Sequence, residues 1–205
     1  MTPEELLTTT RAVRKRLDLT REVPLELVKR ALTIGLQAPS GSNRQQWQWL
    51  VVTDAEQRAA LSEVYRRGWR EYLELQPGQR ADDSATYQRI RSSSEYLAEH
   101  MQDVPVLLVP CLDTGSAELP AGNQAGLWAS LLPAVWNYML AARNLGLGTV
   151  WTTLHLRHEK EAAEVLGLPD TVHQGALVPT AYYTGTGFKP AERKPVDDVL
   201  HFDRW

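Results

Sequence analysis

Residues 37–52 read Gln37-Ala38-Pro39-Ser40-Gly41-Ser42-Asn43-Arg44-Gln45-Gln46-Trp47-Gln48-Trp49-Leu50-Val51-Val52. The run is a junction that leaves an apolar helical segment and enters a strand rich in aromatic and β-branched residues. Between the two lie small polar residues. They offer backbone N–H groups, hydroxyls and an amide, with little bulk to hold a flat ligand away. Taken alone it is an ordinary helix-to-strand turn, and its meaning comes from the segments around it.

Upstream, Thr2 before Pro3, with Glu4 and Glu5 in the first turn, signals a helix expected to run to about Lys15. Arg11 and Arg14 would then lie three apart on one helical face. A second helix opens at Pro24-Leu25, places Leu27, Ala31, Ile34 and Ala38 on one face, and stops at Pro39. Downstream of the strand at 47–52, Thr53 and Asp54 cap a helix over 55–75, followed by a loop over 76–84. A polar helix over 85–101 leads to a buried strand over 104–112 and a Gly/Pro loop over 114–122. The most apolar helix, 123–145, carries Trp128 and Trp136 into the core. Gly146-Leu147-Gly148 ends it as a helix cap, because a dinucleotide fingerprint needs strand-to-helix order and a third glycine. A strand over 149–153, a helix over 159–166, a strand over 175–184 and an irregular charged arm over 185–205 complete the chain. Four strands among about six helices, without regular alternation, predict an α+β sandwich with helices flanking a sheet.

Composition narrows the function. The 205 residues, 43% hydrophobic and 23% charged, suit a single domain over 1–205 with a sizeable core. A net charge of −3 gives no reason to expect nucleic acid. Cys111, the one cysteine, excludes an internal disulfide and a cysteine metal cluster, and its apolar strand reads as a burial site. No apolar run reaches membrane-spanning length and the start lacks a signal peptide, so a cytoplasmic protein without a membrane partner is expected. The histidines lack ligand spacing, no metal is expected, and His155 and His158 read as surface residues. Asp82-Asp83 and Asp197-Asp198 read as solvated charge. No acid/base or nucleophile constellation stands out, so an enzyme built on this chain would rely on a cofactor.

Four segments in order change that picture: Arg11-Ala12-Val13-Arg14, then 38–47 within the opening run, then Leu145-Gly146-Leu147-Gly148-Thr149-Val150-Trp151-Thr152-Thr153, then Glu192-Arg193-Lys194-Pro195-Val196. Together they resemble the FMN-dependent nitroreductase family across nearly the whole chain, apart from about 60–100. The resemblance implies a mostly antiparallel central sheet and a homodimer with FMN at the subunit interface. By that match Arg11 binds the FMN phosphate and Arg14 approaches the pyrimidine edge, where a cation favours the charge gained on reduction. Ala12 stands where the family often has Ser. Pro39, Ser40, Gly41, Asn43 and Gln45 match the segment that reaches FMN from the partner subunit, while Gln46 replaces a common Pro. Trp151, Thr152 and Thr153 match the strand at the flavin's reactive edge, and Arg193 joins Arg11 at the phosphate. Lys194 would point to the opposite side of an extended segment.

The implied activity is a ping-pong transfer of electrons from NAD(P)H through FMN to a nitroaromatic, quinone or related oxidised small molecule. Residues 60–101, rich in Arg and Tyr including Arg80, read as a substrate lid. Trp69, on an otherwise polar helix, is the expected substrate-facing aromatic and joins Thr153 as a catalytic candidate. The Val-Trp-Thr-Thr and Glu-Arg-Lys-Pro pieces are also similar to the flavin-dependent dehalogenase branch. A dehydrogenase or dehalogenase acting on a specific metabolite is therefore the close alternative, and a non-catalytic flavin-binding protein the distant one.

Overall fold

The computed structural model describes residues 1–75 and 84–205. The expected loop over 76–84, apart from Ser84, lies outside the described residues, as do Arg80, Asp82 and Asp83.

Strand β2, Val106–Asp113, organises the sheet. It pairs antiparallel with β1, Trp47–Val52, with β5, Val178–Tyr182, and with the short β4, Val172–Gln174. Strand β3, Leu147–Thr149, pairs antiparallel with β5, which gives the order β1-β2-β5-β3. Because side chains alternate along a strand, β2 feeds two layers. Val106, Leu108 and Leu112 pack with α2, Leu25–Gly35, and α5, Ala125–Asn144. Leu107, Val109 and Cys111 pack with α3, Ala55–Leu75, α4, Ala85–His100, and α6, Glu159–Leu166. Helix α1, Pro3–Thr9, lies against α5. The result is the expected α+β sandwich of an antiparallel sheet between helical layers.

Four local expectations are corrected. Helix α1 ends at Thr9 rather than near Lys15. The hydroxyls of Thr8, Thr9 and Thr10 turn back onto the carbonyls of Glu4, Glu5 and Leu6 at 2.8, 2.6 and 2.6 Å. Three consecutive β-branched residues bonding in this way favour an end. The core face of α2 is Val28, Ala31 and Gly35, while Ile34 is 44% exposed. The shift follows from Gly35, where a Cβ would lie 3.1 Å from the Ala134 carbonyl oxygen, so the two helices meet backbone to backbone. The strand expected over 149–153 stops at Thr149, because the Val150 N–H reaches only Pro179 at 3.4 Å and Pro179 has no N–H to return. Contact with the sheet resumes at Thr152, which bridges Leu177. The strand expected over 175–184 is shorter, running Val178–Tyr182, and is preceded by the separate β4; between them the Gly175 N–H donates to the Pro110 carbonyl at 2.8 Å.

Residues 185–205 form an irregular arm with one 3₁₀ turn at Val196–Asp198. Its Val196, Val199, Leu200, Phe202 and Trp205 side chains are exposed. Among the described residues no helix is long and apolar enough to cross a membrane.

Candidate flavin site

Because α1 ends early, Arg11 lies on a non-helical segment and Arg14 at the bend that follows it, not on one helical face. The Val13 N–H donates to the Thr149 carbonyl at 2.9 Å, and Ala12 bridges Thr149 in parallel. Val13 is buried over Gly148, where a Cβ would come within 3.1 Å of the valine. The pairing carries Arg14 to the region of Tyr65 and Thr152. Arg14 is half-buried, and desolvation lowers its pKa. None of the ion pairs among the described residues uses it. Burial pushes the Tyr65 phenol up to about 12, against the opposing pull of the Thr152 hydroxyl and the Arg14 charge. Thr152 Oγ1 is itself buried and faces Tyr65 without closing a hydrogen bond of ordinary geometry. The backbone of Thr152 is spent in the sheet: its N–H donates to Leu177 at 3.0 Å and its carbonyl accepts at 2.8 Å. Thr153 is exposed, and neither its N–H nor its hydroxyl donates a hydrogen bond among the described residues. Of the threonine pair, Thr153 is thus the available donor. Trp151 is half-buried against the layer of α2 and α5.

Arg11 and Arg193 do come together. They line one cleft of ≈ 290 Å³ with Leu7, Thr10 and Trp136, and Lys194 is not part of its wall. Trp136 was expected in the core but is 38% exposed here, because it faces outward from α5 toward this cleft. Arg11 also borders a second cleft of ≈ 530 Å³ with Ala12, Arg16, Phe188 and Lys189. Arg16 is committed to the carbonyls of Thr184 and Gly187 at 2.7 and 3.1 Å. Among the described residues no carboxylate lines either cleft, which suits an anion.

The 39–45 loop forms a separate wall. Ser42, Asn43 and Gln45 all adopt positive φ, at 52°, 52° and 50°. Non-glycine residues there cost on the order of 1–3 kcal/mol each and collect at binding sites. Pro39, Gly41, Asn43 and Gln45 are exposed and Ser40 is half-buried. The loop is held by Gln45 N–H to Ser40 Oγ at 3.3 Å, Gln45 Nε2 to Asn43 Oδ1 at 2.8 Å, and Gly41 N–H to Ser130 Oγ at 2.9 Å. It borders a cleft of ≈ 290 Å³ with Gln46, Leu112 and the start of α5, and this cleft shares no lining residue with those at Arg11. Within one protomer the two groups of expected site residues are therefore not assembled into one pocket.

Two expectations fail on burial. Trp69 is 8% exposed and stacks on Tyr72 with ring centroids 5.9 Å apart. It continues the Leu61-Tyr65 stripe at four-residue spacing, so it belongs to the buried face of α3 despite its polar neighbours. His155 is fully buried, not on the surface, and neither ring nitrogen has a hydrogen-bond partner among the described residues. Burial drives its pKa down to about 3. His158 is half-buried and meets Glu71 at 2.9 Å. Tyr65 and Ser130 were not singled out from sequence. Tyr65 reads as one more residue of an apolar stripe, and Ser130 meets its partner only across 89 residues of chain.

Comparison with known proteins bears on the family and the fold. The profile described as Nitroreductase family matches residues 7–182. A protein of Methanothermobacter thermautotrophicus, provisionally named NADH dehydrogenase/NAD(P)H nitroreductase, is 25% identical over 98% of this chain and 86% of its own length. An oxidised iodotyrosine deiodinase crystallised with FMN and 3-iodo-L-tyrosine superposes with a TM-score of 0.74 at 20% identity, covering 98% of this chain and 99% of its own. Nitroreductase A of Vibrio parahaemolyticus gives a TM-score of 0.71 at 19% identity, over 98% of this chain and 75% of its own.

Proposed function

The chain belongs to the Nitroreductase family, and we propose that it is a cytoplasmic FMN-dependent oxidoreductase taking electrons from NAD(P)H and passing them to a nitroaromatic, quinone or related oxidised small molecule. The observation that carries this reading is Arg14: a half-buried, desolvated guanidinium close to Tyr65, which in turn faces Thr152, and outside the ion pairs formed among the described residues. Keeping a cation in that setting is costly unless a ligand supplies the opposing charge. The donor set fits FMN. Arg11 and Arg193 would hold the phosphate, Arg14 the pyrimidine edge, and the free N–H and hydroxyl of Thr153 the reactive edge. When bound, FMN supplies reversible two-electron acceptance and delivery, the chemistry this chain's own side chains lack.

The residues' work is to bind, orient and polarise. Two arginines in one cleft would neutralise a phosphate dianion through charge-assisted hydrogen bonds. Arg14 would favour negative charge on a ligand edge beside it, in a site where partial burial strengthens the interaction. The separation of the 39–45 loop from the Arg11 clefts supports a homodimer, in which that loop completes the partner's site. The exposed apolar side chains of the 196–205 arm supply surface for such an interface.

A visible spectrum of the purified protein tests the cofactor, with FMN released on denaturation. NAD(P)H oxidation with a nitroaromatic or quinone acceptor tests the activity. A colourless protein that cannot be reconstituted overturns the reading; a yellow protein inert to donor and acceptor marks a flavin-binding protein instead. The overall likeness to an iodotyrosine deiodinase, at a TM-score of 0.74, supports a second reading, dehalogenation or dehydrogenation of a specific metabolite, which turnover of a halogenated phenol in preference to a nitroaromatic would identify.

A further inference from the structure

The loop that presents Ser40, Gly41, Asn43 and Gln45 is strained, and most of its internal bonds are local. Asn43 N–H and Arg44 N–H return to the carbonyls of Ser40 and Gly41 at 3.0 and 3.1 Å, and the bonds of Gln45 reach only Ser40 and Asn43. Such bonds move with the loop and do not select its conformation against a relaxed one. Three non-glycine residues at positive φ in four positions persist only when the surroundings over-determine them.

Among the described residues, one contact ties the loop to the scaffold through a side chain. The Gly41 N–H donates to Ser130 Oγ at 2.9 Å, and the same hydroxyl donates to the Gly126 carbonyl at 2.9 Å. Ser130 is thus both acceptor and donor, with its proton committed to its own helix, so the lone pair facing Gly41 is held in place. The approach is close. A Cβ on residue 41 would lie 3.2 Å from that oxygen, so glycine lets the backbone reach it.

We propose that Ser130 is a positioning residue for FMN: its hydroxyl holds the 41–45 loop in the conformation that the flavin site requires. The proposal rests on the FMN reading of the loop. Ser130 also lines the cleft that this loop borders, and the role proposed for it acts through Gly41. Ser130→Ala removes the acceptor while improving intrinsic helix propensity at that position, so the helix itself is not weakened.

The experiment compares the full-length wild type, Ser130→Ala and Ser130→Thr. Loss of one neutral hydrogen bond acting through the loop is expected to raise the FMN dissociation constant about fivefold to tenfold in Ser130→Ala. The melting temperature of the apoprotein stays level or rises slightly, and the Gly41 amide exchanges with solvent faster. Ser130→Thr, which keeps the hydroxyl, restores both FMN affinity and Gly41 protection. Wild-type FMN affinity in Ser130→Ala overturns the proposal and leaves the cofactor reading intact. A fall in apoprotein stability that accounts for the lost affinity overturns it in favour of a structural role. If the wild type binds no FMN, the cofactor reading fails and this proposal with it.

Discussion

The N–H of Val13 donates to the carbonyl of Thr149 across 2.9 Å, and this bond orders the centre of the candidate site. It converts a segment that could have continued α1 into an extra strand-like edge beside β3. Arg14 is then delivered to the region of Tyr65, whose phenol faces Thr152. Val13 fits there because residue 148 lacks a Cβ, which would otherwise sit 3.1 Å from the valine side chain.

Gly148→Ala should therefore overpack this junction, with a cost of about 1–3 kcal/mol. Thermal unfolding should show a fall of several degrees. FMN retention should fall further than stability alone explains, because Arg14 moves with Val13. Unchanged melting and flavin content would show that the pairing does not position Arg14.

Arg11 and Arg193 share a cleft, so their contributions to phosphate binding should couple. Arg11→Ala and Arg193→Ala are each expected to weaken FMN about tenfold or more, as for a charge-assisted hydrogen bond. Equilibrium binding across the double-mutant cycle should be non-additive. Strict additivity would place the two arginines on separate ligand groups.

Trp69→Ala should act on the fold rather than on acceptor choice. Its side chain is 8% exposed within the core, so truncation should cost about 3–5 kcal/mol in chemical denaturation. Trp69→Phe, nearer in volume, should recover most of that loss and leave the KM for aromatic acceptors unchanged. A large KM effect with native stability would restore Trp69 to the substrate site.

His155 makes stability depend on pH. Its folded pKa, about 3, lies below the ordinary 6.5, so the unfolded chain binds the extra proton between those values. The contribution is fully present above about pH 6.5 and is lost progressively as pH falls toward 3. From pH 6.5 to 4.5 the loss should be on the order of 2–3 kcal/mol, before most carboxylates titrate. Denaturation of wild type and His155→Leu across that window should give a sloping and a nearly flat profile. Parallel slopes would refute the assignment.

The arm beyond Pro195 places Val196, Val199, Leu200, Phe202 and Trp205 in solvent within one protomer. Removing 196–205 should leave the sandwich folded by circular dichroism while shifting light scattering from dimer to monomer. FMN should be lost with the dimer, since the 39–45 loop would no longer complete a partner's site. A truncated dimer with full flavin content would show that the arm does not hold the subunits together.

The elements that carry strong local signals were legible in the sequence. Helix 55–75 and helix 159–166 are bounded as their local signals indicate, and the mix of strands and helices without regular alternation foretold the α+β sandwich. The ordered basic and Thr-rich segments likewise pointed to one family, which the profile match over 7–182 bears out. What local pattern could not convey was choice between equivalent faces. Trp69 and Trp136 are both large aromatics on helices, yet one is buried and the other faces a cleft, because α3 and α5 meet different neighbours. Three threonines and a glycine gap at residue 148 decided where α1 stops, and that choice depends on β3, more than a hundred residues away. Ser130 and Gly41 met for the same reason. Periodicity and capping are properties of a few adjacent residues, and the sequence by itself determined them. Register, close backbone approach and the burial of a given side chain arise when distant segments compete for the same space, and only the tertiary structure decided those.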